Sequence, residues 1–192
     1  PEWRLVGQAL LPGEVDAFGN PADLRAAVIP FLFTRDGFQS GFVPRAGKIG
    51  EALDRDRWML GSSAAAQAPL DPQDLGAAYA AEYTKRWNAI LALPQPANYA
   101  RQPVTLARLA NPGGSPLKKM TDQIIANTSN MLPQPKSKNK LAQAALKAIA
   151  GQSKGGASMT AAATIEGNFM PLKQYAGGAA ADDRTCRGVG HG

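Results

Sequence analysis

Residues 71–91 read DPQDLGAAYAAEYTKRWNAIL, the clearest helical pattern in the chain. Its large apolar residues recur at intervals of three and four, which places them on one face of an α-helix. Asp71 suits the N-cap, Pro72 suits the first turn, and the prolines that follow the stretch end the pattern. We predict a helix over 72–92 whose inward face carries Leu75, Tyr79, Tyr83, Trp87 and Ile90 or Leu91.

Shorter helical patterns lie on both sides of this helix. Asn20 can cap a short helix that begins with Pro21, and Ser115 with Pro116 opens another in the same way. In the second of these, Leu117, Met120 and Ile124 are predicted to face inward. Further helices are predicted at 44–57, 103–109, 137–150 and 161–176, and the one that begins with Pro21 is predicted to end at 28.

No stretch shows the sustained alternation of a β-strand, so we predict an all-α fold. It comprises six or seven short to medium helices in an irregular bundle with a flexible C-terminal tail. The proline and glycine positions divide the chain into a helical domain at 1–151, a linker at 152–160, a final helix at 161–176 that can pack on the bundle, and a loose tail at 177–192.

Residues 29–38 read IPFLFTRDGF, a run dense in aromatic residues and interrupted by Pro30 and Gly37. This composition favours a packed connector over a long regular element. Its rings serve either ordinary core packing, which we favour, or a subunit interface. The candidate structural and interface residues of the chain are Phe31, Phe33, Phe38, Trp58, Tyr79, Tyr83 and Trp87.

The chain carries a formal net charge of +6, and part of the excess lies in one acid-free stretch. Lys136–Lys154 contains five lysines, which could bind nucleic acid or an acidic envelope polymer. No aromatic residues interleave with these lysines, so a base-stacking site is disfavoured. We favour the interpretation that these lysines form a solvated surface, and we expect no nucleic-acid partner. The alternative function is a basic helical module that binds nucleic acid or an acidic envelope polymer through Lys136–Lys154.

The sequence offers no set of residues suited to catalysis. His191 is the only histidine and Cys186 the only cysteine, too few for a structural zinc site or a histidine-assisted nucleophile. Residues 41–48 have the wrong glycine spacing and residues too bulky for a phosphate-binding loop. We predict no catalytic residue, no cofactor and no metal, and a protein that is not an enzyme. A hydrolase that uses Ser115 or Ser158 without histidine is the remaining alternative.

Four local signatures, in order over about 90 residues, resemble the periplasmic part of the IcmF/TssM family of type VI secretion. The first is the aromatic-Thr-x-x-Gly-aromatic element at 33–38, which follows the Ile-Pro pair at 29–30. Trp-Met-Leu-Gly follows at 58–61, Tyr-x3-Tyr-x3-Trp-x2-Ile-Leu at 79–91, and Ser-Pro-Leu at 115–117. The region of Phe169 is similar to the family's next helix. The resemblance covers about 25–175 and fades in 1–20 and in the tail.

This resemblance implies a part of a protein that is anchored in the inner membrane of Gram-negative bacteria and extends into the periplasm. Its partners would be other subunits of the secretion membrane complex. One is an inner-membrane partner, another is an outer-membrane lipoprotein bound through regions outside this chain, and self-association is a further expectation. The chain contains no run of about twenty apolar residues, so we expect this fragment itself to be soluble.

Overall fold

The computed structural model of the chain describes residues 2–46, 48, 72–111, 113–132 and 156–186. The predicted all-α fold is confirmed, with one small sheet added to it. In chain order the elements are β1 (Glu2–Arg4), α1 (Leu5–Gln8), a 3-10 turn (Val15–Ala17), α2 (Pro21–Ala26), β2 (Val28–Pro30), a second 3-10 turn (Phe31–Phe33), α3 (Arg35–Gly37), a π-helical turn (Phe38–Phe42), α4 (Pro72–Ala92), α5 (Pro103–Leu109), α6 (Pro116–Thr128) and α7 (Ala157–Cys186).

Helix α4 has the bounds that its apolar spacing predicts, Pro72–Ala92. Tyr79, Tyr83, Trp87 and Ile90 are all buried on its inward face, and Leu75 is partly buried against the core, so the predicted stripe is confirmed. Leu91, the alternative to Ile90, is 40% exposed and points away from the core. The N-cap prediction for residue 71 lies outside the described residues.

The expectation that the chain contains no strand was wrong. β1 and β2 pair antiparallel, with Trp3 opposite Ile29. Both of these residues are buried, and the residue on either side of each is exposed. A strand of three residues completes only one alternation, so its sequence carries too little pattern to predict it.

The other helices that lie in the described residues differ from their predictions mainly at the ends, whereas the helix predicted at 137–150 and most of the one predicted at 44–57 lie outside those residues. α2 ends at Ala26, two residues early, because the chain turns there into β2. Asn20 makes no side-chain cap for this helix. Ser115 does cap α6 as predicted, since its hydroxyl accepts a hydrogen bond from the Lys118 amide at 3.5 Å. Leu117 is 45% exposed, against the prediction that it faces inward.

Helix α7 is longer than the predicted helix at 161–176. It begins at Ala157, inside the predicted linker, and continues to Cys186, where we expected a loose tail from 177 onward. Pro171 lies inside the helix. Alanine and glycine dominate residues 177–186, and these residues gave no apolar pattern that would indicate a helix.

Close contact between α4 and α7 forms the centre of the core. At Gly76 the two backbones approach so closely that an added Cβ would lie 2.3 Å from the Ala157 carbonyl oxygen. Ala80 and Ala161, small residues on the two helices, are fully buried. α6 packs on both helices. Its end is tied to α7 because Glu166 accepts a hydrogen bond from the Met131 amide at 2.7 Å.

Candidate functional site

The connector, residues 31–38, folds as two tight turns joined at Thr34. The Thr34 hydroxyl donates to the Phe31 carbonyl at 2.7 Å and accepts a hydrogen bond from the Gly37 amide at 3.1 Å. Gly37 leaves no room for a side chain, because an added Cβ would lie 1.7 Å from the Phe31 carbonyl oxygen. The Thr-x-x-Gly part of the predicted motif therefore has a structural reason. Threonine caps the turn and glycine permits the approach.

The aromatic stripe of α4 consists of Tyr79, Tyr83 and Trp87. Its polar atoms donate hydrogen bonds to the connector and to α6. The Tyr79 hydroxyl donates to the Leu32 carbonyl at 2.5 Å, and the Trp87 indole N–H donates to the Phe33 carbonyl at 2.8 Å. The Tyr83 hydroxyl donates at 2.5 Å to a carbonyl in α6. Each buried ring thus has its polar atom satisfied by backbone, as buried tyrosine and tryptophan require.

The rings of the connector and the stripe also contact one another. Phe42, just after the connector, stacks on Tyr79 with the ring centroids 3.9 Å apart. Phe33 stacks on Tyr79 at 5.5 Å, and the Arg86 guanidinium lies 4.5 Å from the centroid of the Phe33 ring. At the C-terminal end of the stripe, Trp3 of β1 packs against Trp87 with the ring centroids 5.0 Å apart. The stripe therefore joins β1, the connector and α6.

Burial controls the ionisation of the two tyrosines. It raises the pKa of the Tyr79 phenol above its usual range. Burial, together with the neighbouring Tyr79, also raises the pKa of Tyr83. Both hydroxyls are therefore neutral hydrogen-bond donors at any physiological pH, which suits a structural role and not proton transfer.

The candidate interface residues differ in how far they are exposed to solvent. Phe38 and the three residues of the aromatic stripe are buried, and Phe33 is half-buried. Phe31 is 38% exposed, and its neighbour Leu32 is exposed to the same degree. Trp58 lies outside the described residues. Of the predicted set within the described chain, Phe31 is the residue that presents an apolar side chain to solvent.

Some of the alternative sites considered in the sequence fall in the described residues. Residues 41–46 are helical and Phe42 is buried against Tyr79, which leaves no phosphate-binding loop there. The hydroxyl of Ser115 is used as the cap of α6. No group of three histidine, cysteine or carboxylate side chains that could hold a metal ion occurs in the described part of the chain. His191 and the lysines of Lys136–Lys154 lie outside it.

The sequence did not reveal an apolar groove beside α5. Its volume is about 440 Å3, and its lining includes Phe18, Pro94, Pro96, Tyr99, Leu106 and Leu117. Apolar spacing had assigned an inward face to Leu117, yet this residue is 45% exposed, and Leu106 of the neighbouring helix is 50% exposed. Spacing shows which residues share a helix face, but it does not show whether another element covers that face.

One wall of this groove is the segment 93–96, which residues Gly19 and Asn20 hold in place. The Gly19 amide donates to the Gln95 carbonyl at 2.8 Å, and the Gln95 amide donates to the Asn20 side-chain oxygen at 3.0 Å. The Asn20 side-chain nitrogen donates to the Leu93 carbonyl at 2.9 Å. Asn20, predicted as a helix cap, therefore serves as a bridge between two distant segments.

A charged pair lies near the groove. Lys119 of α6 forms a salt bridge with Glu14, which also accepts a hydrogen bond from the Leu11 amide at 2.8 Å. Burial alone would raise the pKa of the Glu14 carboxyl, but Lys119 and the amide hold it below its usual value. Glu14 is therefore charged and already paired at neutral pH.

Comparison with known proteins identifies the family. No curated protein and no solved structure matches the chain. In the described part of the chain, no helix combines the length and the apolar composition needed to cross a membrane. The model of the IcmF-related family, described as intracellular multiplication and human macrophage-killing, matches residues 1–129. The match includes residues 1–20, where the resemblance had been judged to fade, and these contain the strand that pairs with β2. The chain belongs to the IcmF-related family, a family associated with secretion.

Proposed function

We propose that the chain is a structural and interaction module from the periplasmic part of a type VI secretion membrane-complex protein. It acts by helix packing and by subunit contacts in the trans-envelope channel, and it catalyses no reaction. Membership of the IcmF-related family supports the association with secretion. The resemblance of residues 33–38 and 79–91 to the periplasmic helices of the family supports the finer assignment.

One observation carries the structural role: the polar atoms of the aromatic stripe are all bonded to backbone carbonyls. The hydroxyl of Tyr79 and the indole of Trp87 hold the connector, and the hydroxyl of Tyr83 holds α6. Groups that act on a substrate must be free to reach it. The largest polar side chains of the core instead fix three segments relative to one another, as a rigid interaction module requires.

The partners that we propose are other subunits of the membrane complex, among them an inner-membrane partner and a second copy of the chain. Contact with an outer-membrane lipoprotein would use regions outside this chain. Phe31 and Leu32 are the exposed apolar residues of the connector, each 38% exposed. They are held on a rigid support, since the Leu32 carbonyl is bonded to Tyr79. We propose that they contribute to a subunit contact.

The periplasmic location is tested by thiol labelling in the host bacterium. Tyr175 is 77% exposed, so a cysteine placed there, in a protein that also carries Cys186→Ser, would be accessible to a reagent. A membrane-impermeant maleimide should label Tyr175→Cys once the outer membrane alone is opened. The Cys186→Ser protein without the new cysteine is the matched control. Labelling that occurs only after the inner membrane is lysed would show that the location is wrong.

The subunit contact is tested by photo-crosslinking in the same bacterium. A photoreactive phenylalanine analogue at Phe31 should form an adduct with a protein of the secretion membrane complex or with a second copy of the chain. The control position is Leu91, which is similarly exposed at 40% but lies outside the connector. Equal adducts at both positions, or an adduct at neither, would contradict the contact.

A further inference from the structure

We propose that the groove beside α5 is a docking site for an amphipathic helix of a partner protein, with bulky aliphatic residues on one face and carboxylates at the borders of that face. This inference rests on the proposed function, because it names a surface and a partner chemistry for the subunit contacts. Three features of the described residues carry it. These features are the exposed apolar side chains, a wall that offers few backbone hydrogen bonds, and two arginines on or beside α5 that form no ion pair with a described residue.

The apolar side chains around the groove are unusually exposed. Two of the lining residues, Leu106 of α5 and Leu117 at the start of α6, are 50% and 45% exposed. Single exposed apolar residues are normal in soluble proteins, but a concave group of them indicates a binding site. Phe18 forms part of the lining and is itself buried, so the groove has a packed apolar base.

The backbone of the wall at 93–96 favours a helix over a strand as the occupant of the groove. A strand would need free backbone N–H and C=O groups along the wall. Pro94 and Pro96 have no N–H, and both backbone groups of Gln95 are bonded to Gly19 and Asn20. A helix satisfies its own backbone and needs only apolar contact. The wall is also preformed, since a Cβ at Gly19 would lie 2.6 Å from the Pro96 carbonyl oxygen.

The charges on α5 and next to it favour an acidic occupant of the groove. The sequence has no aspartate or glutamate between Glu82 and Asp122, and exposed Arg101 and Arg108 lie just before α5 and on it. Neither arginine forms an ion pair with any residue in the described ranges. Glu14 lines an adjoining cavity with Arg108, but its carboxylate is bound by Lys119. Carboxylates on a partner would complement the two arginines.

The same charges disfavour two other occupants. The chain's own segment 133–155 contains five lysines and no acid, so it would be repelled by Arg101 and Arg108. A second copy that docked the same groove around a twofold axis would bring these arginines against their own counterparts. A separate acidic helix avoids both conflicts.

The test uses the full chain and a designed peptide of about 16 residues, long enough to form a helix in the groove. The acidic peptide carries leucines on one face, glutamates elsewhere and a fluorescein label. A matched control peptide has lysine in place of every glutamate. We expect fluorescence anisotropy to show about tenfold tighter binding of the acidic peptide. Added salt should reduce this preference. Equal binding of the two peptides, or binding of neither, overturns the proposal.

Variants of the chain locate the site. Leu106→Ser should weaken binding of the acidic peptide about tenfold, because it removes a central apolar contact. Leu91→Ser is the matched control, an exposed leucine outside the groove, and should leave binding unchanged. Arg101→Glu combined with Arg108→Glu should reverse the preference toward the lysine peptide. Equal weakening by both leucine variants would place binding elsewhere and overturn the proposal.

Two further outcomes assign the groove to another occupant and also overturn the proposal. One is binding that appears only when residues 133–155 are deleted, which would make that segment the occupant. The other is self-association of the chain that Leu106→Ser abolishes, which would make it a second copy. If the peptide fails while the photo-crosslink at Phe31 persists, the docking site is wrong and the proposed function stands.

Discussion

Helices α4 and α5 both have apolar residues at helical spacing, yet only one of them buries these residues. The aromatic stripe of α4 is at most 8% exposed and is covered by α7, the connector and β1. Leu106 of α5 is 50% exposed and faces a groove. An apolar pattern therefore determines which face of a helix is apolar, whereas the neighbouring elements determine whether that face is core or exposed surface.

The largest loss of stability should come from removing Trp87, a fully buried ring of the stripe. Trp87→Ala deletes a fully buried ring and its hydrogen bond to the Phe33 carbonyl, and should lower the free energy of unfolding by about 3–5 kcal/mol. Denaturant unfolding measures this loss. Leu91→Ala, on the exposed side of the same helix, is the control and should have little effect. A loss below about 1 kcal/mol for Trp87→Ala would show that the stripe is not core.

The close contact of α4 with α7 should give the next effect. Gly76→Ala places a Cβ 2.3 Å from the Ala157 carbonyl oxygen, so the helices must separate. We expect a loss of about 1–3 kcal/mol in unfolding free energy, even though alanine is the better helix former.

A matched glycine in α7 isolates the effect of that contact. Nothing lies within 4 Å of a Cβ at Gly167, so Gly167→Ala should leave stability unchanged or raise it by up to about 1 kcal/mol. Similar changes in both variants would mean that the two helices do not approach as described.

A smaller loss of stability is expected when one hydroxyl group of the stripe is removed. Tyr83→Phe keeps the ring but leaves the Asn127 carbonyl without this donor, and should cost about 1–2 kcal/mol of unfolding free energy. Denaturant unfolding near neutral pH measures the cost. An unchanged midpoint would show that the hydrogen bond contributes nothing to stability.

The same variant has a pH signature. Because the pKa of Tyr83 is raised in the folded protein, the folded state keeps a proton that the unfolded state loses above a pH of about 10. Stability should therefore fall as the pH rises through this range. Tyr83→Phe should reduce that fall, and an unaltered alkaline profile would contradict burial of the hydroxyl.

The smallest effect is expected in α5. Leu106→Ala removes a side chain that is half exposed, and should change the unfolding free energy by no more than about 0.5 kcal/mol. The same leucine is central to the proposed docking site, so Leu106→Ala should weaken peptide binding while leaving the unfolding free energy nearly unchanged. A loss of several kcal/mol would make α5 a core helix like α4 and remove the contrast.

Much of the fold was predictable where one local pattern extends over several turns. The bounds of α4 follow from its apolar spacing, and the start of α6 follows from Ser115 and Pro116. The connector was predicted as a packed turn from Pro30 and Gly37. In each case the deciding information lies within a few residues of sequence, where propensity and capping act.

The remainder depends on contacts between distant residues. β1 exists because it pairs with β2, more than twenty residues away, and Asn20 bridges to residues 93–95 instead of capping its own helix. The groove arises because nothing in the described chain covers Leu106. No local pattern encodes such relations, so the candidate rings were predictable while the groove and its wall were not.

The central claim is that the aromatic stripe holds the connector by hydrogen bonds to its backbone, and hydrogen exchange of Trp87→Phe tests it most directly. This variant keeps an aromatic ring but removes the indole N–H that donates to the Phe33 carbonyl. We predict faster exchange of the Thr34, Gly37 and Phe38 amides, which are bonded within the connector, with little change in α6. Unchanged exchange in the connector, or an equal increase throughout the chain, would contradict the claim.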